Sequence, residues 1–318
     1  MDSLDHVRDR FDVLKPPMDH GKSQPHALAA PPQIGARRRG PVRTLRLSIA
    51  MLLGVLGIAL GSVPPTYAHG IQCGDVLGPG GRFELEHDLA CPHSSGPAVT
   101  IRDGAIFDLQ GHLVTCSSGA IGCVLLTGRG AQLLNGAVGA VQHESIVLKG
   151  DGGHTVRNVT SEFADRNILV QSDYNQLINV YAASVVNPAF AIEGNHNLLK
   201  DTIARCAELS PGACILVQGD ANLLIKNFAT STTPALPSSG GGFEVSGNNN
   251  RLTGNLAIGS DGPGMVVRGT GNRLTRNTAL SNSTDLIDTH ADCDANQWRR
   301  NIFRTSRAGA TEHPGCIQ

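Results

Sequence analysis

Gly-Asn-Asn-Asn-Arg-Leu, at Gly247–Leu252, decides how this chain is read, because it returns. Gly-Thr-Gly-Asn-Arg-Leu stands at Gly269–Leu274, and Gly-Asn-His-Asn-Leu at Gly194–Leu198. Each copy follows a short apolar run: Phe-Glu-Val at 243–245, Met-Val-Val at 265–267, Phe-Ala-Ile at 190–192. A unit this short cannot bury its own apolar face, so copies must stack on one another.

Outward from these copies, the same ending marks Gly128, Gly150, Ser172, Gly194, Gly219, Gly247 and Gly269, at steps of 22, 22, 22, 25, 28 and 22 residues. A helical repeat needs ten or more residues of 3.6 period in each unit, and none is present. The units read as three short strands joined by turns. Asn175, Asn197, Asn222, Asn250, Asn272 and Asn296 form one column, and Asn158, Asn227, Asn255, Asn277 and Asn301 a second. Asn tolerates left-handed backbone, and stacked amides bond from layer to layer, so these residues read as turn supports rather than ligands. Two units are longer, around Cys206–Cys214 and through 229–241, and insertions in a solenoid map to loops beside a binding face.

The remaining chain frames this repeat. Aromatic residues make up only 4% while Gly numbers 38, which suits thin, turn-rich coils. An uncharged apolar run at 48–60 follows Arg43 and Arg46 and precedes Thr-Tyr-Ala at 66–68. It is short for a bilayer span, so residues 42–68 are expected to be a cleaved secretory signal rather than a stable transmembrane segment. Residues 1–41 form a polar leader, read as disordered or as a misassigned start. Residues 69–98 are expected to cap the solenoid, 99–303 to form it, and 304–318 to be a tail tied back by a disulfide.

All eight cysteines follow Ala68, which fits disulfides in an oxidising compartment, secreted or periplasmic. Local pairing in order, Cys73 with Cys91, Cys116 with Cys123, Cys206 with Cys214 and Cys293 with Cys316, is the suspected connectivity. No Cys-x-x-Cys pair supports a zinc site. Nine of the 26 Lys and Arg and five of the 27 Asp and Glu precede residue 69, which leaves the exported part at a formal net charge of −5. No basic stripe shows in the linear order, so nucleic acid is not an expected partner.

In the first coil, Asp108 and His112 are expected to fix turns. Near the end, Trp298 falls where Leu252 and Leu274 fall, so its ring is expected to close the inward column.

Asp-Leu-Gln-Gly-His at 108–112, the Gly-x-x-Asn-x-Leu-x-x-Asn units, and the closing Asp292-Cys, Asn-x-Trp-x-x-Asn-x-Phe and Cys-Ile-Gln elements resemble right-handed parallel β-helix proteins of the pectate-lyase-like superfamily. The closing elements are similar to the ends of secreted bacterial members of mostly unassigned function. The resemblance implies an all-β, right-handed single-stranded parallel β-helix of about eight or nine coils. It also implies a polysaccharide partner, since the group's enzymes generally act on such polymers.

Uronate lyases and C5 epimerases must neutralise a carboxylate, remove a sugar proton and protonate or expel a group. The repeat register offers His143, Lys149, Asp165, Arg166, Glu193 and His196 as candidate catalytic groups. Polar residues outside a solenoid are ordinarily a solvated face, and no compact catalytic motif accompanies these six. Two readings follow: an exported lyase or epimerase, or a noncatalytic β-helix that binds glycans or builds the cell surface or its matrix. No cofactor is expected, with calcium the one ion that lyase chemistry would admit, and the rod is expected to be a monomer.

Overall fold

The computed structural model describes residues 70–318 apart from 93–94, 118–121, 141–143, 163, 165, 185, 187, 207–211, 232–240, 294, 310 and 313. The segments expected to be a leader and an export signal, 1–41 and 42–68, lie outside these residues. The described chain winds as a right-handed parallel β-helix of about nine turns.

Three stacks of strands run along the rod. The first stack is a twelve-stranded sheet that starts at Asp75–Leu77, is parallel as far as Ser306–Ala308, and ends on the antiparallel strand Thr311–Glu312. The second stack runs from Arg82–Glu84 to Gln297–Arg299, and the third from Leu89–Cys91 to Thr278–Leu280. In three middle coils the second and third stacks merge into the continuous strands Gln132–Ala140, Thr155–Glu162 and Gln176–Ser184. Strand alternation sends every second side chain inward. The inward line of the second stack is Phe83, Phe107, Leu133, Val156, Leu177, Leu199, Leu224, Leu252, Leu274 and Trp298, each in register with the next. Facing it in the late coils, the third stack supplies Ala182, Ala204, Ala229, Ala257 and Ala279, all fully buried. Large residues on one wall and alanines on the other fill a thin core, which accounts for the scarcity of aromatic side chains.

Both asparagine columns are hydrogen-bonded ladders. In the first, the backbone N–H groups of Asn175, Asn197, Asn222, Asn250 and Asn272 donate to the Oδ1 of the Asn one coil further on, at 2.7–2.9 Å. His154 occupies the rung before Asn175: its N–H donates to Asn175 Oδ1 at 2.8 Å, and its Nδ1 accepts from Ala131 N–H at 3.1 Å. In the second ladder, Asn227, Asn255 and Asn277 donate through both backbone N–H and Nδ2 to the next Asn, ending at Asn301. Their Nδ2 groups also reach Leu199, Leu224 and Leu252 carbonyls. Asn158 is not in this column. Val159 pairs with Val180 at the second ladder's corner, and Asn158 sits one residue earlier, in a line of left-handed residues with Asn135, Asn179, Asp201, Lys226, Arg276 and Arg300 (φ 53–56°). The merged strands put the left-handed residue inside the strand, so the sequence spacing slips by one.

Residues 75–91, read as a cap, form a coil of their own, whose three strands pair in parallel with the coil after them. Ser306–Ala308 extends the first stack in parallel, and the chain then returns through Thr311–Glu312, which pairs antiparallel with it. All four disulfides join the suspected partners, with Cα–Cα distances of 5.5–5.9 Å. Trp298 is buried where expected, and its Nε1–H donates at 2.8 Å to Asp288 Oδ2, a carboxylate that points into the core and also accepts from Asn296 Nδ2. Asp108 accepts from Gln110 N–H, Asn135 Nδ2 and Arg82 Nη2, and His112 lies 3.3 Å from Asp88, so both hold turns together. Among the described residues no helix is long and apolar enough to cross a membrane.

Candidate functional site

The outward face of the first stack carries two lines of residues. Leu125, Val147, Leu169 and Ala191 form an apolar cluster separate from the core. Beside it, Lys149, Gln171 and Glu193 follow one another coil by coil, each donating its backbone N–H to the coil before. Arg166 bridges this face, with Nη1 3.7 Å from Glu144 Oε1 and 4.0 Å from Glu193 Oε1, and Gln171 Nε2 donates to Glu193 Oε2 at 3.1 Å.

Of the six residues expected from the repeat register, the structure therefore joins Arg166 and Glu193. Lys149 stands two coils before Glu193, and its carbonyl accepts from His154 Nε2 at 2.9 Å. His196 lies around the corner in a left-handed turn (φ 55°), stacked on the exposed Tyr174 ring with centroids 4.9 Å apart. His143 and Asp165 lie outside the described residues.

A different cluster forms on the outer face of the third stack. Glu162, Ala183 and Arg205 occupy one outward column on three successive coils, and Tyr181 points outward two residues before Ala183. Because Ala183 is small, the flanking side chains can converge over it. The Arg205 guanidinium carbon sits 5.8 Å from the Tyr181 ring centroid, within cation–π range. Burial pushes the Glu162 carboxyl above its ordinary range, with the Arg205 charge opposing. Burial also raises the Tyr181 hydroxyl, helped by the Glu162 charge and opposed by the charge and hydrogen bond of Arg205. Shifted groups gathered around one surface are a mark of functional sites.

Tyr181 also lines an open groove of about 200 Å³ at the corner between the second and third stacks. Asn158, Asn179 and Asp201 form one wall, and Thr160 and Ile203 the other. Ile203 is 40% exposed, an apolar platform beside polar hydrogen-bonding groups. Sequence reasoning missed these residues. The signal was present only as spacing: Glu162 and Arg205 come into line through steps of 21 and 22 residues, and the conspicuous Asn and Gly marks belong to other corners.

Among the described residues no three His, Cys, Asp or Glu side chains are grouped as a metal ion would require.

Comparison with known proteins adds the following. Residues 189–316 match a family model described as a right handed beta helix region. The solved structure of pectate lyase Pel9A aligns at 14% identity over 75% of this chain and 68% of that chain, with a TM-score of 0.37. No curated protein matches.

Proposed function

We propose that this right-handed parallel β-helix is an exported protein that binds a uronate-containing polysaccharide at the groove beside Tyr181. The observation that carries the reading is the convergence of Arg205, Tyr181 and Glu162 next to that groove. Arg205 supplies the fork that pairs with a sugar carboxylate. The exposed Ile203 and the Tyr181 ring offer apolar contact to a sugar face, and Asn158, Asn179 and Asp201 offer hydrogen bonds to hydroxyls. Export is supported by the apolar run at 48–60 and by four disulfides, which persist in oxidising compartments.

The same three groups suit elimination. With Arg205 on the carboxylate, Glu162 takes the proton beside it, the electron pair forms the ring double bond, the bond to the leaving oxygen breaks, and Tyr181 protonates that oxygen. Raised proton affinity makes Glu162 a better base and keeps Tyr181 in its donor form. All three project from one sheet face, so they meet a sugar lying on it from one side. One-sided access favours lyase over C5 epimerase chemistry, which exchanges protons across both faces of the ring.

Calorimetric titration with uronate polymers and a neutral glucan, run beside an ultraviolet assay for unsaturated ends, tests both parts. Uronate binding is expected, with Arg205→Ala weakening it about tenfold or more, the loss of one charge-assisted contact. Unsaturated product that disappears in Glu162→Gln would establish the lyase. Binding without product, with and without calcium, leaves a glycan-binding protein. Uronate affinity unchanged by Arg205→Ala would overturn the site.

A further inference from the structure

The late coils carry a second surface that the third-stack groove does not use. Arg251 and Arg273 are in register on the outer face of the second stack, with Gln297 next in line. Two residues along, on the same face, stand Thr253, Thr275 and Arg299. Side chains of these six residues line a depression of about 120 Å³. Arg276 and Arg300 follow immediately in the left-handed corner line, both exposed.

None of these five arginines has a carboxylate within ion-pair distance among the described residues. Arginines of other coils do have such partners: Arg82 meets Glu84 and Asp108, Arg166 meets Glu144 and Glu193, and Arg268 meets Glu244 at 2.8 Å. Neighbouring parallel strands lie about 4.8 Å apart, so Arg251 and Arg273 are like charges directly opposite one another, an unfavourable pair. An oxyanion seated between them would relieve that repulsion and accept from more than one guanidinium fork. The threonines between the arginines are short enough to leave it room. The patch is a local reversal of charge on an exported chain whose formal net charge is −5.

We propose that this arginine face binds a linear polyanionic polysaccharide, its charged groups lying along the coil axis between Arg251, Arg273 and Arg299. The straight, flat run of the stack fits an extended polymer. Single-stranded nucleic acid fits less well, because it is held on aromatic platforms and the outward residues of this stack from Leu198 to Arg299 include no aromatic ring. The proposal is independent of the Tyr181 groove.

The test uses the full chain with dextran sulfate as probe, with uncharged dextran, duplex DNA and phosphatidylserine vesicles as comparison arms. Dextran sulfate is expected to bind with an affinity that falls as salt rises, and uncharged dextran not to bind. The triple variant R251S/R273S/R299S should weaken dextran sulfate binding at least about tenfold, as expected for loss of charge-assisted contacts. Its circular dichroism and melting curve should match the parent, since all three side chains are exposed. The triple Arg→Lys variant should recover part of the affinity, and Arg268→Ala, on the first stack, should change nothing. A folded triple Ser variant that binds dextran sulfate like the parent overturns the proposal. Tighter binding to DNA or to vesicles than to dextran sulfate overturns it as well, by naming a different partner. Uronate binding at the Tyr181 groove is read on Arg205→Ala in the R251S/R273S/R299S background, so failure of one site is distinguishable from failure of the other.

Discussion

The middle coils and the late coils turn the same corner by different means. Between 132 and 184 the chain passes from the second stack to the third inside a single strand, and Val159 and Val180 fill the corner from within. From 198 onward the strands stop after three or four residues, and Asn227, Asn255, Asn277 and Asn301 fill that corner with a ladder of amides. Valine contributes by burial, which has no direction and tolerates small shifts. The amides contribute by hydrogen bonds that must all be made, because a buried donor or acceptor left alone costs more than the bond itself contributes. Thr202 joins the two regimes, with its N–H and hydroxyl both donating to Asn227 Oδ1. The Tyr181 groove opens at this junction, with Tyr181 on the last merged strand and Ile203 on the strand Ile203–Cys206 of the next coil.

The sharpest way to break this comparison is Asn255→Ala. It orphans the Asn227 N–H and removes the bonds of Asn255 Nδ2 to the Leu224 carbonyl and Asn277 Oδ1, so a loss of about 3–5 kcal/mol is expected in denaturant unfolding. A loss under 1 kcal/mol would mean that the ladder is ornamental. Val180→Ala removes only apolar contact, and about 2 kcal/mol is expected. If it costs as much as Asn255→Ala, the two corners are not distinct in kind.

His154 provides a pH test of the first ladder. Its Nδ1 accepts from Ala131 N–H and its Nε2–H donates to the Lys149 carbonyl, an arrangement open only to neutral imidazole. Burial holds its pKa below the ordinary value of 6.5. The unfolded chain therefore takes up a proton below pH 6.5 that the folded chain resists, and stability falls as pH drops from 6.5 toward the depressed folded value. Thermal melts across that window should show this slope, and His154→Asn, which restores the residue of its column, should remove it. Equal slopes in both proteins would rule out His154 as the source. The smallest effect belongs to the surface. Arg268→Ala breaks an ion pair whose arginine is half exposed, and less than about 1 kcal/mol is expected in the same unfolding assay.

Sequence alone carried the solenoid wherever the late-coil device was in use. Gly-Asn marks at fixed steps appear because the amide ladder demands Asn at each rung. The first coil, 75–91, has valine, phenylalanine and leucine but no Asn marks, so it passed for a cap. Asn158 was misplaced for a related reason: in merged strands the left-handed residue lies one step before the corner, and Asn suits either position. The candidate site was less legible. The 22-residue step aligns Arg166 with Glu144 and Glu193 with Gln171, whereas Glu162, Tyr181 and Arg205 carry no shared motif and meet only because Ala183 leaves space between them. The arginine face is scattered over 50 residues of sequence and becomes a patch only once the coils are stacked.

The antiparallel strand Thr311–Glu312 has a consequence for polymerisation. A stack of parallel strands is an unfinished filament, since its last edge offers the next chain the same hydrogen-bonding pattern that built it. Here the chain doubles back across Ser306–Ala308 and presents an edge of reversed polarity, pinned through Cys293–Cys316. Along this stack, a second rod arriving end to end meets a strand of the opposite direction.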